Sequence, residues 1–123
     1  MTFADPKNLH VLRVREAATP RERVLVRVLR PCDLGKYAIV PCRVDDEGFL
    51  PLNRLVFWFP DATMAEGDLV VLHSKQGVQV SKGNADGRQT HHFYWGLKAP
   101  IWSEGRGPAL IYIAAVQVSQ DLA

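Results

Sequence analysis

Histidines, cysteines and clustered carboxylates are the side chains best able to do acid-base, nucleophilic or metal chemistry near neutral pH. His91 and His92 stand side by side, with His73 earlier in the chain. Imidazole binds metals well, but neighbours along a strand point to opposite faces. The adjacent pair therefore cannot chelate one ion together without a bulge, and one half-buried and one solvated imidazole is expected. A joint site with His73 would use only one of them. Cys32 lies between Arg30-Pro31 and Asp33, a setting expected to lower its pKa modestly, yet no feature supplies it with a base. With Cys42 it makes either two ordinary half-buried thiols or a single bridge. The run Asp45-Asp46-Glu47-Gly48 offers hard oxygen ligands to calcium but lacks the alternating spacing of an EF-hand loop, and it reads as a hairpin turn. Gly83-Asn84-Ala85-Asp86-Gly87-Arg88 could cradle a phosphate beside Lys82. No helix follows to add its dipole, so it reads as a surface loop between strands.

The familiar phosphate-loop, dinucleotide, nucleophile-elbow, His-Glu-x-x-His and Cys-x-x-Cys signatures do not occur. No catalytic residue, metal or cofactor is expected. The arginines carry a clearer signal. Residues 1–30 hold seven Lys/Arg against three Asp/Glu, while residues 31–66 hold three against six, so a net charge of only +2 hides a basic start and an acidic middle. If these segments occupy different faces, the surface is dipolar and can steer partners or self-association. Arg13, Arg15, Arg23 and Arg27 would then track a nucleic-acid backbone, with Phe93, Tyr94 and Trp95 as a stacking platform.

The elements that must position these residues are strands. No stretch keeps the three-to-four apolar spacing of a helix, and short β-rich runs broken by Gly, Pro and Asp recur along the chain. Strands are expected at residues 9–15, 23–30, 37–44, 55–59, 69–73, 78–81, 91–95 and 109–118. Alternation places Val24, Val26 and Val28 in the core and Arg23 and Arg27 outside. The consecutive apolar runs Leu69 to Leu72 and Leu110 to Ile113 suggest strands covered on both faces. Phe57, Phe59, Val70, Leu72, Trp102, Leu110 and Tyr112, or its neighbours Ile111 and Ile113, complete the expected core. At 123 residues this is one domain, with its globular part at about residues 9–118. No targeting or membrane-spanning segment is legible, so a cytoplasmic location is expected.

Three elements in order resemble the lamin tail domain family. Asp33-Leu34-Gly35-Lys36-Tyr37-Ala38-Ile39 is similar to its D-L-S-G-W-x-L element, with Tyr37 in the place of Trp. Phe59-Pro60, Met64 and Gly67-Asp68-Leu69-Val70-Val71-Leu72 resemble the following element, and Trp102-Ser103-Glu104-Gly105 with Ala109-Leu110 the last. The resemblance spans residues 24–110. It implies an immunoglobulin-like β-sandwich, in agreement with about eight short strands read from periodicity. The family occurs in nuclear intermediate-filament proteins and as an accessory module in bacterial proteins, and lamin tails are associated with chromatin.

The leading expectation is a non-enzymatic recognition or assembly module that binds a protein partner or itself. Contact would use the C-terminal strand, through Ile113 and Val116, and exposed aromatics at Phe93, Tyr94 and Trp95. Arg13 and Arg15 would guard the first strand as an edge. A nucleic-acid-binding domain using Arg13, Arg15, Arg23 and Arg27 is the alternative. A small metal-dependent or hydrolytic enzyme comes third.

Overall fold

A computed structural model describes residues 7–45, 48–51, 55–103, 105–115 and 117. Those residues form eleven strands and a short 3-10 turn at Leu34–Lys36, with no α-helix. The strands are β1 Leu9–Arg15, β2 Arg23–Val28, β3 Cys32–Asp33, β4 Tyr37–Asp45, β5 Gly48–Pro51, β6 Phe57–Trp58, β7 Thr63–Met64, β8 Leu69–His73, β9 Val80–Gly83, β10 Gln89–Tyr94 and β11 Gly107–Tyr112. The fold is an all-β sandwich. One sheet has five strands in the order β1-β2-β8-β10-β9. The other has the order β11-β4-β5, with β6 also paired to β4, and β3 pairs with β7 as a short ribbon. Every pairing is antiparallel except β8 with β10.

Alternation in β2 works as its sequence dictates. Val24, Val26 and Val28 are buried, and the residues between them are half-buried on the other face. Val70, Val71 and Leu72 are all buried because β8 runs through the middle of its sheet. Between the sheets, aromatics from both sides interlock. Phe59 meets Phe93 edge-on at 5.3 Å, Phe57 meets Trp95 at 5.7 Å, and Trp95 meets the buried Trp102 at 6.3 Å. Such tilted contacts place ring edges against ring faces, which aromatic quadrupoles favour. Leu9, Leu34, Tyr37, Ile39 and Met64 complete this core, and Phe57 and Leu110 pack against it.

Several expectations are corrected. Phe93 is 2% exposed, in the core rather than on a docking surface, because β10 places it in the same inward register as His91. The run Leu110 to Ile113 is not a doubly covered strand: β11 ends its sheet, its residues are at most half-buried, and Tyr112 is 49% exposed against the ring of Tyr37. The strand stops at Tyr112 instead of Val118, and Val116 lies outside the described residues. β5 follows Asp45, which pairs with Gly48 as a hairpin requires, while residues 46 and 47 lie outside the described residues.

Candidate functional site

Register across the five-stranded sheet decides which side chains share its outer face, since paired residues point the same way. Arg15 pairs with Arg23, Arg23 with His73, and His73 with Tyr94. The next row runs Arg13, Leu25, Val71, His92 and Val80. A third runs His10, Arg27, Leu69, Thr90 and Lys82. All four arginines singled out from the sequence therefore stand on one face, joined by Lys82 and three histidines. Arg13 and Arg15 are exposed, whereas Arg23 and Arg27 are half-buried. Arg23 Nη1 is 2.6 Å from Glu16 Oε2, and Arg27 Nη1 donates to the Gly67 carbonyl at 3.0 Å. Those two guanidiniums are thereby oriented on the face. β1 is an edge strand, as its arginines suggested.

The aromatic part of the face is Tyr94, His73 and His92. The Tyr94 ring stacks on His73 at 4.5 Å and 10°, and His73 on His92 at 5.2 Å. Nε2 of His73 is 3.0 Å from Nδ1 of His92, so one imidazole donates to a neutral partner. Burial pushes the pKa of His73 down to about 4, helped by the charges of His92, Lys75 and Arg23. Burial also lowers that of His92, with Lys82 and His91 adding to it. Both rings thus stay neutral at pH 7. Neither Phe93 nor Trp95 joins Tyr94 here. Trp95 is half-buried against Phe57 and Trp102, which removes it from the expected stacking platform and docking patch.

His91 points to the opposite face from His92, as strand geometry requires, and into a different network. It is buried and His92 is half-buried, so the expected pair of one half-buried and one solvated imidazole is not what forms. Its Nε2 lies 2.9 Å from Asp68 Oδ2 and its Nδ1 2.7 Å from Ser81 Oγ. Asp68 also accepts from the backbone N–H groups of Ala65 and Gln89. Burial alone would raise the pKa of this carboxyl, but the hydrogen bonds from His91, Gln89 and Ala65 outweigh it and hold the group below its ordinary value. Among the described residues no three His, Cys, Asp or Glu side chains converge as a metal site.

Glu22 forms a second buried polar centre and belongs to none of the sequence motifs. Its carboxylate is wholly enclosed and accepts from the N–H groups of Ala18 at 2.9 Å, Ile101 at 2.8 Å and Trp102 at 3.2 Å, and from Ser74 Oγ at 2.5 Å. It ties the β1–β2 corner, the end of β8 and the segment before β11 to one point. Alternation did carry a signal, because Glu22 continues the inward register of Val24, Val26 and Val28.

Both cysteines are free. Burial, then the charge of Asp33, raises the Cys32 pKa rather than lowering it, and burial raises that of Cys42. The Gly83–Arg88 segment is the β9–β10 hairpin, closed by Asn84 N donating to Arg88 O. Arg88 is drawn to Asp86 at 3.6 Å. Ile113 is half-buried, and its N–H donates to Lys36 O beside a cleft of about 320 Å³ lined by Asp33, Lys36, Trp58, Asp61 and Ile113. Trp58 is 57% exposed there.

Among the described residues no helix is long and apolar enough to cross a membrane. Compared with protein-family models, curated proteins and solved structures, the chain finds no match.

Proposed function

We propose that the domain binds nucleic acid through the outer face of its five-stranded sheet, with the phosphate backbone as the recognised group. The observation that carries this reading is the three-row register that brings Arg13, Arg15, Arg23, Arg27 and Lys82 onto one surface. Guanidinium groups on a rigid sheet meet phosphate oxygens at little ordering cost. The Tyr94, His73 and His92 rings, stacked on one another, add a flat, weakly hydrated wall beside these cations. The resemblance to lamin tails, which are associated with chromatin, supports the same ligand class. Replacing the two exposed arginines, Arg13→Glu with Arg15→Glu, is expected to weaken binding of a fluorescent single-stranded oligonucleotide at least tenfold at low salt. Unchanged anisotropy curves in that folded variant would overturn the reading.

The cleft beside Trp58 favours a second reading, a recognition module for a protein partner or a second copy. The aromatic patch expected from residues 93–95 gives it little support, since Phe93 and Trp95 are committed to packing. An exposed indole beside Ile113, Asp33 and Asp61 supports it instead. Under this reading Trp58→Ala removes the partner or a concentration-dependent dimer in sedimentation and leaves oligonucleotide binding intact.

A further inference from the structure

Asp68, His91 and Ser81 form a continuous hydrogen-bonded line, and each comes from a different element: the turn before β8, β10, and the edge strand β9. Proton positions along it follow from the carboxylate. Asp68 accepts two backbone N–H groups, and as an ionised acceptor it requires His91 Nε2 to carry the proton. In the neutral imidazole Nδ1 of His91 is then a lone-pair acceptor, and Ser81 Oγ, 2.7 Å away, can donate its proton to it. This is the arrangement of nucleophile, base and orienting carboxylate that activates a serine, with the two imidazole nitrogens exchanged relative to the usual triad.

The backbone adds a donor. Asn84 N donates to Arg88 O, which makes that pair a hydrogen-bonded one. Alternation down the register then makes Lys82–Thr90 hydrogen-bonded and Ser81–His91 not. Side chains lie closest in such non-hydrogen-bonded pairs, which accounts for the Ser81–His91 contact. For the same reason the N–H of Ser81 points out of the edge of β9 that pairs with no other described strand, where it can donate to an oxyanion on the carbon bonded to Oγ. Ser81 itself is exposed, while Asp68 and His91 are buried.

We infer that Ser81 is an acyl-accepting nucleophile, with His91 as its general base and Asp68 as a positioning residue, acting on small activated carboxylic esters at the open sheet edge. In the first step a bond forms between Ser81 Oγ and the carbonyl carbon. The hydroxyl proton passes to His91 Nδ1, and the carbon–oxygen ester bond breaks. That proton leaves with the departing alkoxide or phenoxide. Water then attacks the acyl group with His91 again as base, releasing the carboxylic acid and regenerating Ser81. No oxidant or cofactor enters.

The test uses the full chain, an alkyl fluorophosphonate and 4-nitrophenyl acetate. Mass spectrometry is expected to find one phosphonyl group per chain, mapped to Ser81, with the exposed Ser103 unlabelled as an internal control. The ester should give a burst of 4-nitrophenolate approaching one equivalent. Ser81→Ala, at an exposed edge position, should fold normally and lose both signals. His91→Gln should slow labelling by about a hundredfold or more. Asp68→Asn should slow it too, with partial recovery in Asp68→Glu. The inference is overturned by an unmodified mass, by label shared equally with Ser103, or by a burst that survives in Ser81→Ala; because the serine comparison is internal, this holds even if the buried variants fail to fold.

Discussion

Glu22 shows how a single residue can govern the order of a sandwich. A carboxylate is costly to bury unless its lone pairs are filled, and here both oxygens are approached by donors from separate segments. Glu22→Gln keeps the volume but turns an amide NH2 towards donors, and is expected to cost about 2 to 4 kcal/mol in urea unfolding. A shift below about 0.5 kcal/mol would show that the network relaxes around the substitution. Trp102, whose backbone N–H donates to Glu22 and whose indole fills the core, is expected to cost about 3 to 5 kcal/mol as Trp102→Ala. His73 makes a pH prediction. Its ordinary value of 6.5 is lowered to about 4 by burial first and then by neighbouring charges. Between these values the unfolded chain takes up a proton that the native imidazole refuses, so stability falls as pH drops from 6.5 towards 4. In His73→Gln that part of the acid slope disappears. If melting curves of the two proteins kept the same pH dependence, the neutral-imidazole assignment would fail.

At the level of elements, periodicity served best where one face of a strand is dry. The β2 valines and the central position of β8 were legible because burial on one or both sides leaves a period in the sequence. β11 misled for the same reason: its consecutive apolar residues belong to an edge strand whose cover is partial. The run Phe93-Tyr94-Trp95 suggests an aromatic cluster, whereas alternation sends Phe93 inwards and Tyr94 outwards. Asp68, Ser81 and His91 could not be joined from their spacing, because the β8–β10 parallel pairing with β9 outside it is what brings them together. That crossover rests on close packing at Gly77, where an added Cβ would sit 2.3 Å from the Tyr94 ring. Gly77→Ala is expected to lose about 1 to 3 kcal/mol and to disturb the Tyr94–His73 stack. Gly83, with nothing near its Cβ direction, should change by less than about 0.5 kcal/mol as Ala. Equal costs at the two positions would contradict this account of the crossover.

Over the whole molecule, the uneven distribution of charge along the chain becomes a distribution over its surface. The basic start supplies β1 and β2 to one sheet face, and Asp33 and Asp61 from the acidic middle line the cleft beside Trp58. The sequence held the charges but not their grouping, since Lys82 joins the N-terminal arginines only through the β9–β10–β8 register. A polyanion bound by these five cations must release counterions, so its affinity has to fall with salt. The direct measurement is the anisotropy of a labelled single-stranded oligonucleotide titrated with the full chain over a series of salt concentrations. For native protein and for Trp58→Ala, the logarithm of the binding constant should fall against the logarithm of salt with a slope of about −3, the value for four to five phosphate contacts on a single strand. The Arg13→Glu, Arg15→Glu variant should bind weakly with a shallower slope. A slope near zero, or one left unchanged by the arginine reversals, would contradict a nucleic-acid-binding sheet face.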